Sequence, residues 1–150
     1  MENIYALLKK DHKEFLTNLK QIEKNKNLEK SNTIFQDTIR DLQLHMKGEE
    51  VAFYPALEKH AESRMVAFEG EEEHKVAKNV LEDLKASDDE DRWEANFKVF
   101  KEMLTHHIEE EEKELFKEAK KVIDKEELMN VTDDFKGIRF EEEVIRDRFE

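Results

Sequence analysis

Apolar residues recur along this chain at spacings of three and four, the period of a helix with one buried face. Ile4, Leu7, Leu8, Phe15, Leu19 and Ile22 mark a first helix over about 3–24. Ile34, Phe35, Ile39, Leu42 and Phe53 mark a second, opening at Ser31 as its cap and running to about His60. Phe68, Ala77, Leu81 and Leu84 give a third over about 64–85. After the cap-rich "SDDED" at 87–91, Trp93, Phe97, Phe100, Leu104 and Leu115 carry a fourth to about Lys121. Short polar links between helices favour antiparallel neighbours, so the predicted fold is all-α, an up-down-up-down antiparallel four-helix bundle over 1–121. Pro55, inside the second helix, predicts a kink or a restart. Residues 122–150 form a charged C-terminal extension in which "RFEEEVIRDRF" sets Phe140, Val144 and Ile145 at helical spacing. They predict a short amphipathic helix that covers an end of the bundle or meets a partner.

The stripes are interrupted in register. His45 and Glu49 follow Leu42 on one face, and His107 and Glu111 follow Leu104 in the same way. His12 and His74 fall on the apolar faces of the first and third helices. One offset relates all of these: 74 − 12, 107 − 45 and 111 − 49 each equal 62. Leu19 and Leu81, Ile22 and Leu84, Phe35 and Phe97, Leu42 and Leu104, and Phe53 and Leu115 obey it too. The chain therefore reads as two related halves, about 1–62 and 63–124.

A carboxylate on a core face must be protonated, paired or bound to metal, because burying it bare is too costly. Four imidazoles and two carboxylates meeting at the centre would make a cage for two divalent ions, each Glu bridging and two His capping each ion. Imidazole and carboxylate together suit iron, manganese or zinc. One core histidine is more often a hydrogen-bonded structural residue, and one H-x-x-x-E arises by chance in so acidic a chain. Three matched pairs in phase with the core carry the metal reading. His60 and His106 fall outside the set and are expected at the surface. Glu50 and Glu112 are candidates to support ligating histidines, with a solvated flank as the alternative. Glu71 and His74 spell E-x-x-H, but the mate of Glu71 is Lys9, so a ferritin-like carboxylate site is disfavoured.

Composition narrows the functional classes. The net charge of −13 argues against a nucleic-acid partner, since phosphate binding relies on Lys and Arg. The absence of cysteine removes disulfides, thiolate nucleophiles and thiolate-bound clusters. Three glycines and one proline leave little material for hairpins. The start, "MENIYALLKKDHKEF", is not a signal peptide, and no run approaches a membrane span, so the expected location is cytoplasmic.

"DH" at Asp11–His12, "HMKGEE" at His45–Glu50, "EEH" at Glu72–His74 and "HIEEEE" at His107–Glu112 together resemble the hemerythrin and HHE cation-binding family. The resemblance covers about residues 4–120. It implies a four-helix bundle around a non-haem di-iron centre, oxo- or hydroxo-bridged, with His12, His45, Glu49, His74, His107 and Glu111 as ligands. It also implies a small gaseous ligand such as oxygen or nitric oxide. Oxygen carriers of the family have a further His on the third helix; here the candidate positions hold Gly70 and Lys78. The resemblance leaves three functions open: binding or sensing a small ligand or handling iron; an enzyme of nitric oxide or peroxide detoxification or iron–sulfur repair; and a metal-free acidic interaction module.

Overall fold

The computed structural model describes residues 2–25 and 28–149, without the side chains of 28–32, 146 and 149. Every element in it is helical. Helix α1 is Ile4–Asn25. Helix α2 runs as Leu28–Gly48, a π-helical turn Glu49–Phe53, and Tyr54–Glu58. Helix α3 is Ala61–Ala86. Helix α4 runs as Glu90–Glu110, a second π turn Glu111–Leu115, and Phe116–Val122. Helix α5 is Lys125–Phe149. The described residues are all-helical, as the sequence predicts, and form five helices.

The buried face of α3 reads Ser63, Ala67, Gly70, His74, Ala77, Leu81 and Leu84, alternating steps of four and three. Phe68, expected on that face, is instead 43% exposed. It lies about 100° round the helix from Ala67, which holds the core position. Helix α1 buries Ile4, Leu8, His12, Phe15, Leu19 and Ile22 on the same rhythm. Asp89 caps α4, its side chain accepting from the Asp91 backbone N–H at 3.0 Å. Helix α2 opens at Leu28, three residues before Ser31; the capping role expected of Ser31 lies outside the described side chains.

Two π turns interrupt the α-helical stretches of α2 and α4. Pro55 sits in the first turn of the segment that restarts after Phe53, where its missing N–H has no partner to lose. The equivalent segment of α4 has Lys117 at that place, so the π turn does not need the proline.

The extension is longer than the short helix the sequence predicts, and it packs by a different face. Val131 and Phe135 are buried in the core with Ile4, Leu8, Phe53 and Phe116. Phe140 and Ile145 are 67% and 51% exposed. The Ile4 backbone N–H donates to Thr132 Oγ1 at 2.9 Å, tying α5 to the start of α1. Apolar packing divides into two clusters, one around Phe53, Tyr54 and Phe116, the other around Phe15, Leu42, Phe97 and Phe100. Between them lies a layer of buried polar side chains.

Candidate metal centre

Helices α1 to α4 each send one histidine into that layer. His12, His45, His74 and His107 are all buried, and Glu49 and Glu111 are 0% and 2% exposed. Both glutamates open the π turns. A π turn carries an extra residue, which changes the phase of the helix just where the carboxylate must face inward; such turns recur at functional sites.

The geometry follows the repeat residue by residue. His45 Nε2 lies 3.1 Å from Glu49 Oε1, and His107 Nε2 3.3 Å from Glu111 Oε2. Across the bundle, His74 Nε2 lies 3.3 Å from Glu49 Oε1, and His12 Nε2 3.5 Å from Glu111 Oε1. Each glutamate thus faces two imidazoles from different helices. Each histidine is also held from behind by a carboxylate at Nδ1: His12 by Glu112 at 2.8 Å, His45 by Asp11 at 2.8 Å, His74 by Glu50 at 3.3 Å and His107 by Glu73 at 3.0 Å. Lys78 backs Glu50 at 2.9 Å, and Arg139 of α5 backs Asp11. Carboxylate–histidine pairs of this kind fix the tautomer and aim Nε2 at a metal.

The sequence pointed to Glu50 and Glu112 but missed Asp11 and Glu73. The signal was there, since 73 − 11 and 112 − 50 are both 62. Tyr54 was missed too. Its hydroxyl donates to Glu111 Oε2 at 3.0 Å and lies 3.3 Å from His74 Nε2 and 3.5 Å from Glu49 Oε2. Its repeat mate is Phe116, so repetition could not flag it. A Cβ on Gly70 would lie 2.9 Å from the Tyr54 hydroxyl. The tyrosine therefore fills the space beside Gly70.

Burial and charge compete at His45, His74, His107 and Glu111. Burial opposes a charge on His45, but Glu49, Asp11 and Glu111 outweigh it and hold the imidazolium up to about 10. Burial likewise opposes the charges on His74 and His107, and their carboxylate partners raise both. Glu111 is held well below the carboxylate range: burial would raise it, and its close polar neighbours Glu49, His107 and His12 prevail. Burial and the neighbouring carboxylates push the Tyr54 phenol well above its usual value. Without metal, protons on His45, His74 and His107 offset the charge of the carboxylates beside them.

Three inward atoms nevertheless have no hydrogen-bond partner: His12 Nε2, Glu49 Oε1 and Glu111 Oε1. Buried polar atoms without a partner need a physical reason, and a cation held between them supplies one. Donor atoms of His12, His45, Glu49 and Glu111 lie within 4.8 Å of one another, and so do those of Glu49, His74 and His107. That spread matches donors on opposite sides of one ion with bonds of roughly 2.0–2.2 Å. Glu49 belongs to both groups. The residues fit two cations sharing a carboxylate.

His106 and His60 stay outside. His106 is at the surface beside Glu110, and His60 is half-buried at 3.7 Å from Glu127. Glu71 also stays outside. Its hydrogen bond to Glu58 raises that carboxyl to about 7.

The model of the hemerythrin HHE cation-binding domain matches residues 3–119. The chain belongs to that family. No curated protein and no solved structure matches it. Helix α5 lies beyond the matched residues, although its Arg139 reaches Asp11 in the site. The HHE domain and the buried His/Glu cluster together fit a metal-binding protein. No described helix is long and apolar enough to cross a membrane.

Proposed function

We propose that the chain is a hemerythrin-like non-haem di-iron protein that binds or senses a small ligand such as oxygen or nitric oxide. His12 and His45 would hold one ion, His74 and His107 the other, and Glu49 and Glu111 would bridge them. The observation that carries this is the convergence of four Nε2 atoms, each fixed from behind by a carboxylate, on Glu49 and Glu111, whose Oε1 atoms have no hydrogen-bond partner. Iron bound there would supply redox chemistry and open coordination positions for a diatomic ligand. Beside the donors is a small cavity of about 20 Å³, walled by Phe15, Leu42, Met46, Met103 and Leu104. Room for about one small molecule among apolar walls favours an uncharged diatomic over a polar substrate.

Anaerobic reconstitution with ferrous ion, followed by oxygen or nitric oxide, tests the reading. About two irons per chain and an absorption spectrum that changes with the gas are expected. A chain that takes up no iron refutes it.

Tyr54 favours a second reading, turnover of peroxide or nitric oxide at the same centre. Its phenol is a proton source directed at the bridging carboxylate, which simple binding does not need. Sustained consumption of peroxide by the iron-loaded protein, lost in Tyr54→Phe with iron content retained, would select it.

A further inference from the structure

The two halves of the bundle are related, but their outer faces are not treated alike. Between α3 and α4 an open cleft of about 220 Å³ runs in from the surface. Its floor is Gly70, His107 and Glu111, all buried. Its walls carry Glu69, Glu73, Glu110 and Glu114, and no Lys or Arg is among the described residues that line it.

Subtracting 62 gives the matching place between α1 and α2, and there the opening is closed. Glu110 becomes Gly48, against which Phe135 of α5 packs so closely that a Cβ would lie 2.5 Å from its ring. Glu73 becomes Asp11, held by Arg139. Val66 becomes Ile4, whose N–H is taken by Thr132. Gly70 and Glu114 become Leu8 and Ala52, 0% and 8% exposed. Helix α5 seals one face with apolar side chains and a cation, and leaves its counterpart open and acidic.

The floor of the open cleft also points to a ligand. Glu111 is 2% exposed, and its Oε1 has no hydrogen-bond partner; His12 Nε2 comes no closer than 3.5 Å. At the mouth, Glu110 is engaged by His106 at 3.1 Å and Glu73 by His107 at 3.0 Å. For Glu69 and Glu114 no ion pair is found among the described residues.

We propose that the α3–α4 cleft is the port by which a hydrated divalent cation reaches the donor layer, with Glu69 and Glu114 as its electrostatic guides. A concave surface of one charge sign raises the local concentration of counter-ions and their rate of arrival. The guides deliver the ion without ligating it. The proposal rests on the metal-binding reading above, and the test separates the two.

The metal-free full chain is mixed with cobalt(II), whose visible absorption reports binding, across a range of salt. Three proteins are compared: the native chain, Glu69→Gln with Glu114→Gln, and a control, Glu14→Gln with Glu143→Gln. The control pair lines the crevice beside Arg139 and Asp11 on the sealed face and removes the same charge. The cleft variant should take up cobalt about threefold more slowly or worse at low salt, approach the native rate at high salt, and reach the native cobalt content. The control should load at the native rate. Equal rates in all three, or equal slowing in both variants, overturn the port. A lower final content in the cleft variant overturns it also, because the residues would then be ligands. If the native chain binds neither cobalt nor iron, the metal reading itself fails and the port with it.

Discussion

Gly70→Ala adds one methyl group at a crowded point of the site. Its Cβ would stand 2.9 Å from Cζ and from the hydroxyl oxygen of Tyr54, and 3.2 Å from Cε2. Ordinary contact begins at 3.4 Å, so the ring must retreat by 3.4 − 2.9, or 0.5 Å. It has little room: Tyr54 is 0% exposed, its ring packs 5.3 Å from His74, and its hydroxyl is bonded to Glu111 at 3.0 Å. Overpacking of this kind costs about 1–3 kcal/mol. Alanine in place of glycine inside a helix returns about 1 kcal/mol. The net expectation is a loss of about 0–2 kcal/mol. Gly137→Ala in α5 is the internal control, because nothing lies within 4 Å of its Cβ and only the favourable part remains. Urea unfolding of the metal-free proteins by circular dichroism gives both values, provided the slope is unchanged. Gly137→Ala should gain about 1 kcal/mol and Gly70→Ala should fall below it by about 1–3 kcal/mol. If Gly70→Ala stabilises as much as Gly137→Ala, the tight seat of Tyr54 against α3 is wrong.

Asp11→Ala leaves His45 without its anchor at Nδ1, and metal affinity should fall about 10–100-fold in a chelator competition; an unchanged affinity would contradict the anchoring role. Tyr54→Phe keeps the ring but takes a donor from Glu111, so the metal-free protein should lose about 0.5–1.5 kcal/mol in the same urea assay while binding metal to the native extent. His45 is raised from 6.5 to about 10, so its contribution is complete below 6.5 and is lost as pH rises through about 10. Glu50 is lowered from 4.5 to about 2, so its contribution is complete above 4.5 and is lost as pH falls through about 2. Urea midpoints of the metal-free protein should therefore be highest between about 4.5 and 6.5 and decline on the alkaline side; a profile level to about pH 10 would refute the His45 assignment.

The donor layer was legible because two independent regularities met there. Helical phase put His45 and Glu49 on a core face, and the 62-residue offset found their mates at His107 and Glu111. Asp11 and Glu73 share that offset, but each sits beside an inward residue, where phase alone reads a surface position. Tyr54 was beyond both signals. It follows a π turn, whose extra residue breaks the count from Leu42, and its mate is a phenylalanine. Phe68 shows the converse failure: a large apolar residue drew the stripe to itself while Ala67 and Gly70 held the interior. Small residues carry the face of α3 there because Tyr54 occupies the volume, which a residue-by-residue reading cannot see. The packing of α5 was misjudged for a similar reason, as Val131 and Phe135 lie ahead of the segment whose spacing stood out.

The four anchors behind the imidazoles have one more effect. A ring fastened at Nδ1 to Glu112, Asp11, Glu50 or Glu73 cannot flip about its Cβ–Cγ bond without breaking that link. Its inward nitrogen is therefore aimed before anything arrives to use it. On the proposed reading, loading the chamber would exchange protons for cations between walls already set.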